Sequence, residues 1–265
     1  MLRQRIISSV LLIIMIAGVI SIQWLCGVIV SLFIAIGLIE FFNMLEHKQI
    51  AGFKYFGLGI GIIIPLSIMF RFELTKGWEF LFIILAFLSL ILMQFKRREN
   101  SGAIVAISTT IFGIIYISWF FSFLIKIRYM EDGLGFLAAL LLITKSCDVG
   151  AYLIGSRFGK KALLPRISPH KTIEGALGGV LFSVLAAIAC KPMLNFGYFH
   201  LIAIGAGISV LAQLGDLSES LIKRDCQVKD SGSVFPGMGG VLDQIDSLLF
   251  TAPVFYFYMS VRLLK

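Results

Sequence analysis

The most polar stretch of this apolar chain runs from residue 213 to residue 247, and its side chains are of types that carry chemistry. It contains six acids and three bases beside a glycine-rich break. These ionisable residues are Asp216, Glu219, Asp225, Asp230, Asp243, Asp246, Lys223, Arg224 and Lys229. Charged groups beside apolar membrane segments are costly and mark functional sites by default. The stretch therefore indicates a functional site.

The spacing within this block places polar side chains together on helical faces. If the preceding apolar helix continues, four polar residues at i, i+3, i+4 and i+7 share one face. They are Asp216, Glu219, Ser220 and Lys223. A second helix is predicted from about Val241, with Asp243 and Asp246 on one face of its first turns. The alternative is that Asp243 is only an N-cap and that the other charges form a solvated loop.

Carboxylates from two helix ends, together with Lys and Arg, have the composition needed for metal-assisted phosphoryl or nucleotidyl transfer. Hard carboxylate oxygens bind Mg²⁺, and cationic side chains neutralise phosphates. The three histidines and four cysteines have no spacing typical of a zinc site. Among metals, the sequence therefore favours magnesium.

A second polar block runs from residue 144 to residue 175. Asp148 and Tyr152 are spaced i, i+4 and share a helical face. Lys145 lies three residues before Asp148, so the alternative is that these two charges simply neutralise each other. A basic loop with two glycines follows at 155–161, but it lacks the spacing of a P-loop.

A helix start is predicted within this second block at Ser168 and Pro169, because proline is favoured in a first helical turn. Lys171, Thr172 and Glu174 then lie in or near that turn.

The composition predicts an integral membrane protein with an all-α, polytopic helical bundle. The 265 residues are 58% hydrophobic, the mean hydropathy is +0.96, and long apolar runs recur. A net charge of +8 permits nucleic acid binding, but Lys and Arg in membrane proteins more often mark the cytoplasmic side and contact anionic lipid. We therefore expect membrane lipids, and no nucleic acid, as partners.

The apolar segments predict about nine transmembrane helices. They run approximately over residues 1–23, 24–42, 55–70, 80–95, 103–125, 134–155, 175–190, 199–219 and 241–261. With the N-terminus inside and the C-terminus outside, fifteen Lys and Arg residues lie on the cytoplasmic side and seven on the other. The positive-inside rule favours this orientation, which places both polar blocks in the cytoplasm.

The two halves of the chain differ in their content of reactive side chains. Residues 1–126 are interpreted as scaffold helices, in which Glu40 is the one acid inside an apolar run. Residues 127–265 carry both polar blocks and are predicted to form the catalytic region.

Both polar blocks resemble the motifs of the phosphatidate cytidylyltransferases, also called CDP-diacylglycerol synthases. The family's main motif reads Ser-x-x-Lys-Arg, then Lys-Asp, then Pro-Gly-His-Gly-Gly-x-x-Asp-Arg-x-Asp. The matching residues are Ser220, Lys223, Arg224, Lys229, Asp230, Pro236, Gly237, Gly239, Gly240, Asp243 and Asp246. The upstream motifs match at Asp148, Ala151, Tyr152, Gly155, Gly159, Lys160, Ser168, Pro169, Lys171, Thr172, Glu174 and Gly175. The chain departs from the main motif at Met238, where the family has His, and at Gln244, where it has Arg.

The resemblance implies an enzyme that joins CTP to phosphatidic acid, giving CDP-diacylglycerol and pyrophosphate, in the bacterial inner membrane with its active site facing the cytoplasm. It implies that Mg²⁺ binds to Asp216, Asp243 and Asp246, with Lys223 also catalytic, and it leaves a second cation and a homodimer open. The expected substrate-binding residues are Asp148, Ser168, Lys171, Thr172, Glu174, Ser220, Arg224 and Lys229. Two alternatives are a CTP-dependent lipid-alcohol kinase and a membrane transporter, although no inverted repeat is visible in the sequence.

Overall fold

The computed structural model describes residues 14–71, 76–97 and 101–263, which are mostly helical. The helices are α1 (residues 14–21), α2 (Gln23–His47), α3 (Lys54–Met69), α4 (Lys76–Phe95), α5 (Ala103–Gly113), α6 (Phe120–Arg128), α7 (Gly133–Phe158), α8 (Ile173–Ala189), α9 (Lys191–Leu194), α10 (Tyr198–Asp225) and α11 (Leu242–Leu263). A π-helical segment, Ile114–Trp119, joins α5 to α6, and two short strands, β1 (Ala162–Leu164) and β2 (Ser168–Thr172), precede α8.

Four helices of the described residues are long and apolar enough to cross a membrane. They are Gln23–His47, the continuous run Ala103–Arg128, Gly133–Phe158 and Tyr198–Asp225. Each predicted segment from residue 24 onward coincides with a helix, which confirms a helical membrane protein. The total of nine spans and the orientation stay predictions. The predicted first span lies partly outside the described residues.

The half predicted to be catalytic, residues 127–265, is organised around a close pair of helices, α7 and α8, on which α10 packs, and α10 in turn packs on α11. The pair approaches closely because Gly150 of α7 faces Gly178 of α8. A Cβ at Gly150 would lie 2.7 Å from the Gly178 carbonyl oxygen and 2.6 Å from the Phe182 Cβ. Small residues of this kind let helix backbones meet in membrane proteins.

The other half packs on the catalytic half through α2, which contacts α3, α6 and α11. Aromatic side chains fill these contacts. The Tyr116 ring of the π-helical segment lies edge-on to Phe250 of α11, with centroids 5.9 Å apart. The scaffold helices thus reach the helix that carries Asp243 and Asp246.

The prediction of a helix start at Ser168 and Pro169 is wrong, because Ser168–Thr172 forms strand β2. This strand pairs antiparallel with β1, with Ala162 opposite Thr172. Helix α8 begins only at Ile173, since the Thr172 hydroxyl accepts a hydrogen bond from the Gly175 backbone N–H at 3.1 Å and so caps the helix. The all-α prediction is therefore wrong at this one place, where the chain forms a two-stranded hairpin.

Candidate active site

A single cavity of about 740 Å³ opens between the hairpin and helices α7, α8, α10 and α11, and both polar blocks line it. Eight of the predicted site residues lie on its wall: Asp148, Ser168, Lys171, Thr172, Asp216, Lys223, Asp243 and Asp246. Residues more than sixty positions apart in the sequence are therefore brought to one site by the fold.

An ion pair joins the two blocks across this cavity. The Lys171 ammonium of β2 lies 2.5 Å from the Asp216 carboxylate of α10. Both side chains are about one-third exposed, at 29% and 36% respectively. The Lys171 nitrogen itself is buried against Asp216, so a charged ligand that enters the cavity must displace this pair to reach it.

A second cation, Lys223 of α10, lies between two acids in a much drier environment. Its ammonium contacts Glu219 one helical turn earlier, and it donates to Asp243 of α11 at 2.5 Å. The Glu219 side chain is fully buried, and those of Lys223 and Asp243 are 12% and 11% exposed. One ammonium therefore contacts two carboxylates and links α10 to α11.

The Asp243 carboxylate is held by several donors besides Lys223. Its Oδ2 accepts from the Gly240 N–H at 2.8 Å, the Ser231 N–H at 3.0 Å and the Ser231 hydroxyl at 2.9 Å. These donors precede α11 rather than belonging to its first turn. The role of Asp243 therefore differs from that of a simple N-cap.

Two further acids approach the cavity from α7 and α11. Asp148 pairs with Lys145 at 3.1 Å, as the alternative interpretation of these two charges predicts, and both line the cavity, so the part of Asp148 in substrate binding stays a prediction. Lys145 also donates to the Gln244 backbone carbonyl at 3.4 Å. Asp246 is buried, and its Oδ1 accepts from the Ser247 N–H at 2.5 Å. The cavity is thus lined by both carboxylate and ammonium groups.

Comparison with known proteins decides the family. The family model described as "Cytidylyltransferase family" matches residues 3–262. The chain belongs to the cytidylyltransferase family. The resemblance stated from the two motifs is thereby confirmed, and it extends over the scaffold half as well.

Two members of the family match along nearly the whole chain, and a third matches over more than half of it. The chain is 33% identical over 267 residues to the phosphatidate cytidylyltransferase of Bacillus subtilis, covering 98% of both sequences. It is 30% identical over 290 residues to that of Synechocystis, covering 98% of this chain and 97% of the relative. The Staphylococcus aureus phosphatidate cytidylyltransferase is 37% identical over 158 residues, which is 59% of this chain and 60% of the relative.

Four residues expected to bind substrate lie outside the cavity lining. Ser220 is half-buried on α10, Lys229 is exposed, and Arg224 donates at 3.4 Å to the Val228 backbone carbonyl. Their part in substrate binding stays a prediction.

The fourth residue, Glu174, supports the hairpin in this structure. Its Oε2 accepts from the backbone N–H groups of Lys160 at 3.0 Å and Lys161 at 3.3 Å. The Lys160 hydrogen bond, more than any other contact, holds the pKa of Glu174 below its ordinary value. Glu174 thus ties the end of α7 to the start of α8.

The donor chemistry of the cavity suits a hard divalent cation, because three aspartates, Asp216, Asp243 and Asp246, line it. Lysines pair with Asp216 and Asp243 in this geometry. Within the described ranges, no three acidic, histidine or cysteine side chains are grouped closely enough to hold a metal ion. Metal binding by these aspartates would therefore require their carboxylates to move closer together and the lysine ammonium groups to move away from them.

The two departures from the family motif contact each other. The Gln244 side-chain amide donates at 2.8 Å to the Met238 carbonyl oxygen, across the turn that carries the glycines. Gln244 also lines the cavity. In this chain an uncharged side chain therefore fixes the glycine turn.

Two residues of the site were not identified as such in the sequence. Ser231 lies in a loop without a recognisable motif, and Glu40 lies in the scaffold half, yet both hydrogen-bond into the segment that carries Asp243. The one available signal was that Glu40 is an acid inside an apolar run, which is costly without partners.

Proposed function

We propose that the protein is a phosphatidate cytidylyltransferase that makes CDP-diacylglycerol for phospholipid biosynthesis. A phosphate oxygen of phosphatidate attacks the α-phosphorus of CTP, a new P–O–P bond forms, and the bond to the β-phosphate breaks to release pyrophosphate. The observation that carries the proposal is that one cavity collects both cytidylyltransferase motifs, including Lys171, Asp216, Lys223 and Asp243. The nucleophile is already anionic near neutral pH, so no general base is required.

The lysines of the cavity have the right positions to receive a polyphosphate. Lys145 and Lys171 line the cavity, where phosphate oxygens would compete with their aspartate partners. Lys223 is more buried and lies between Glu219 and Asp243. Charge-assisted hydrogen bonds from such ammonium groups neutralise phosphates and orient them for in-line displacement.

We further propose that Mg²⁺ is held by Asp216, Asp243 and Asp246, with a second cation as an open addition. The ion would supply charge neutralisation on the triphosphate and on the leaving pyrophosphate. On binding, the ammonium groups of Lys171 and Lys223 pass from their aspartates to phosphate oxygens. This exchange keeps the number of unpaired charges in the cavity low.

The protein is assigned by this proposal to the bacterial inner membrane, with the cavity facing the cytoplasm. The fifteen-to-seven division of Lys and Arg supports that side. The exposed apolar surface of the helices, for example Leu177 and Phe199, supports contact with lipid acyl chains. CTP then enters from the cytoplasm and phosphatidate from the membrane.

The test is to incubate the purified protein in detergent with Mg²⁺, with CTP labelled at either the α- or the γ-phosphate, and with either phosphatidic acid or a lipid alcohol such as diacylglycerol as the acceptor. After lipid extraction, the proposal expects the α-label in the lipid phase and the γ-label in aqueous pyrophosphate. Entry of the γ-label alone into lipid acceptors would establish the kinase alternative. Retention of both labels in the aqueous phase would contradict both reactions.

A further inference from the structure

Glu40 is a buried acid of α2, in the half of the molecule that carries no part of either family motif. Its side chain is only 5% exposed, and its carboxylate points at the start of α11. An ionised carboxylate in such a place is costly unless it is hydrogen-bonded by several donors. The structure supplies those donors from a segment about two hundred residues away.

The Glu40 carboxylate binds the N-terminal end of α11. Oε1 accepts from the Val241 N–H at 2.9 Å, and Oε2 accepts from the Leu242 N–H at 2.9 Å. These backbone groups have no intrahelical acceptor, and the positive end of the helix dipole attracts an anion. Glu40 therefore caps α11 from a different helix, immediately before Asp243.

The Ser231 hydroxyl lies between the Glu40 and Asp243 carboxylates and, having one proton, donates to one of them at a time. Ser231 Oγ lies 3.1 Å from Glu40 Oε2 and 2.9 Å from Asp243 Oδ2. The Ser231 and Gly240 backbone N–H groups also donate to Asp243. The same short segments thus bind Glu40 on one side and Asp243 on the other.

Two glycines make this approach possible. A Cβ at Gly240 would overlap the Glu40 carboxylate and the Ser231 hydroxyl, and a Cβ at Gly232 would overlap the Glu40 side chain. Glycine is the residue that lets another group come this close to the backbone. The glycine break and Glu40 therefore form one packed unit.

We infer that Glu40 is a positioning residue that fixes the orientation of the Asp243 carboxylate in the active site. It acts through the α11 N-terminus and Ser231, and it does not line the cavity. The inference rests on the proposed function for its kinetic part. Its structural part, the restraint on residues 231–243, is measurable without any turnover.

The principal test is Glu40→Gln, which keeps the size of the side chain. A glutamine amide group has one acceptor oxygen, so its NH₂ group must face a backbone N–H or the Ser231 hydroxyl. We expect kcat to fall about 10- to 100-fold, because small displacements of a reacting group have effects of that size. KM for CTP should change by no more than about threefold, because the lysines that receive the phosphates are untouched.

The matched control is Glu46→Gln, the same substitution on the same helix. Glu46 is exposed, pairs with Lys54 at 3.1 Å and lines a separate cavity. Its kcat and KM should stay at the wild-type values. The control separates a local effect on Asp243 from a general effect of charge removal in α2.

Hydrogen exchange by mass spectrometry supplies the readout that is independent of activity. In Glu40→Gln, peptides covering 231–243 should exchange at least about tenfold faster, because either the Val241 or the Leu242 amide loses its acceptor. Peptides from α7 and α8 should be unchanged, as should all peptides of Glu46→Gln. If the wild-type protein made no CDP-diacylglycerol, the proposed function would fail while this exchange result still tested the positioning role.

Ser231→Ala provides a second variant in case Glu40→Gln does not fold. It removes the shared hydroxyl without disturbing the buried carboxylate, and a several-fold loss of kcat at constant KM is expected on the scale of a lost positioning contact. When both substitutions are combined, their effects on kcat should be less than multiplicative. The inference is overturned by wild-type kcat and wild-type exchange in either single variant, or by fully multiplicative effects in the pair.

Discussion

At the scale of single residues, the site depends on how Lys223 is shared between Glu219 and Asp243. The Glu219 side chain is buried, those of Lys223 and Asp243 are mostly buried, and one positive charge contacts both carboxylates. Removing one partner of a buried ion pair costs about 3–5 kcal/mol when it leaves an unpaired charge. When Asp243 is neutralised, Lys223 retains its ion pair with Glu219 and is not left unpaired. Substitutions at Asp243 should therefore change turnover more than the stability of the fold.

Asp243→Asn is predicted to insert and fold normally but to lose turnover. The amide retains an acceptor for the Gly240 N–H but carries no charge for Lys223 or a metal ion. We expect kcat to fall by a factor of about 100 or more, because several kcal/mol of charge stabilisation is lost. Steady-state kinetics at saturating Mg²⁺ measures this, with size-exclusion chromatography in detergent as the folding control. Near-normal turnover would remove Asp243 from the site and transfer its role to Asp246.

The comparison of Lys171→Gln with Arg224→Gln tests whether the cavity wall identifies the phosphate-binding residues. Lys171 lines the cavity, whereas Arg224 is exposed and lies outside its lining. Loss of Lys171 should raise KM for CTP by at least about tenfold, the size expected for a charge-assisted hydrogen bond of about 1.5–3 kcal/mol. Arg224→Gln should leave KM close to wild type. The opposite ranking in CTP titrations would show that the 224–229 segment carries the phosphates.

At the scale of elements, the hairpin before α8 positions Lys171, and its geometry depends on Thr172. This residue both ends β2 and caps α8. Thr172→Val keeps the shape but removes the hydroxyl, so the unfolding free energy should fall by about 0.5–2 kcal/mol. Thermal or denaturant unfolding in detergent measures the change. Thr172→Ser retains the hydroxyl and should unfold like wild type, and equal behaviour of both variants would contradict the capping role.

The sequence predicted most helices because their apolar runs are long and continuous, as for α7 and α10. It failed at residues 168–172, where the Ser-Pro pair is equally compatible with a helix start and with a strand. Strand pairing with Ala162–Leu164 decided between them, and such tertiary pairing has no strong local signal. Local pattern was therefore sufficient for the spans but not for the hairpin that carries Lys171.

The sequence also predicted only part of the site. Asp216, Lys223, Asp243 and Asp246 were found because they cluster in the sequence, and the cavity brings them together with the second block. Glu40 was interpreted as scaffold because its partners at residues 231–242 are distant in the chain. Contacts between residues so far apart in the sequence arise because α2 packs on α11. Hydropathy does not show which helices pack together.

At the scale of the whole molecule, the account requires both polar blocks to face the side where CTP is available. With nine spans, we predict a cytoplasmic N-terminus and an external C-terminus, since the Lys and Arg distribution favours that orientation. Reporter fusions at each end, one active only inside and one only outside the membrane, measure the topology. Termini found on the same side would contradict the nine-span arrangement while leaving the enzymatic assignment open to its own test.

The central claim is that this cavity transfers a cytidylyl group to phosphatidate, and the stoichiometry of the two products tests it most directly. Purified protein in detergent with CTP, phosphatidic acid and Mg²⁺ should release pyrophosphate and form CDP-diacylglycerol in equal molar amounts throughout one time course, as quantified by enzymatic assay and lipid mass spectrometry. Asp243→Asn, assayed in parallel, should lose both products together. Release of CDP with a phosphorylated lipid, or of pyrophosphate without CDP-diacylglycerol, would contradict the claim.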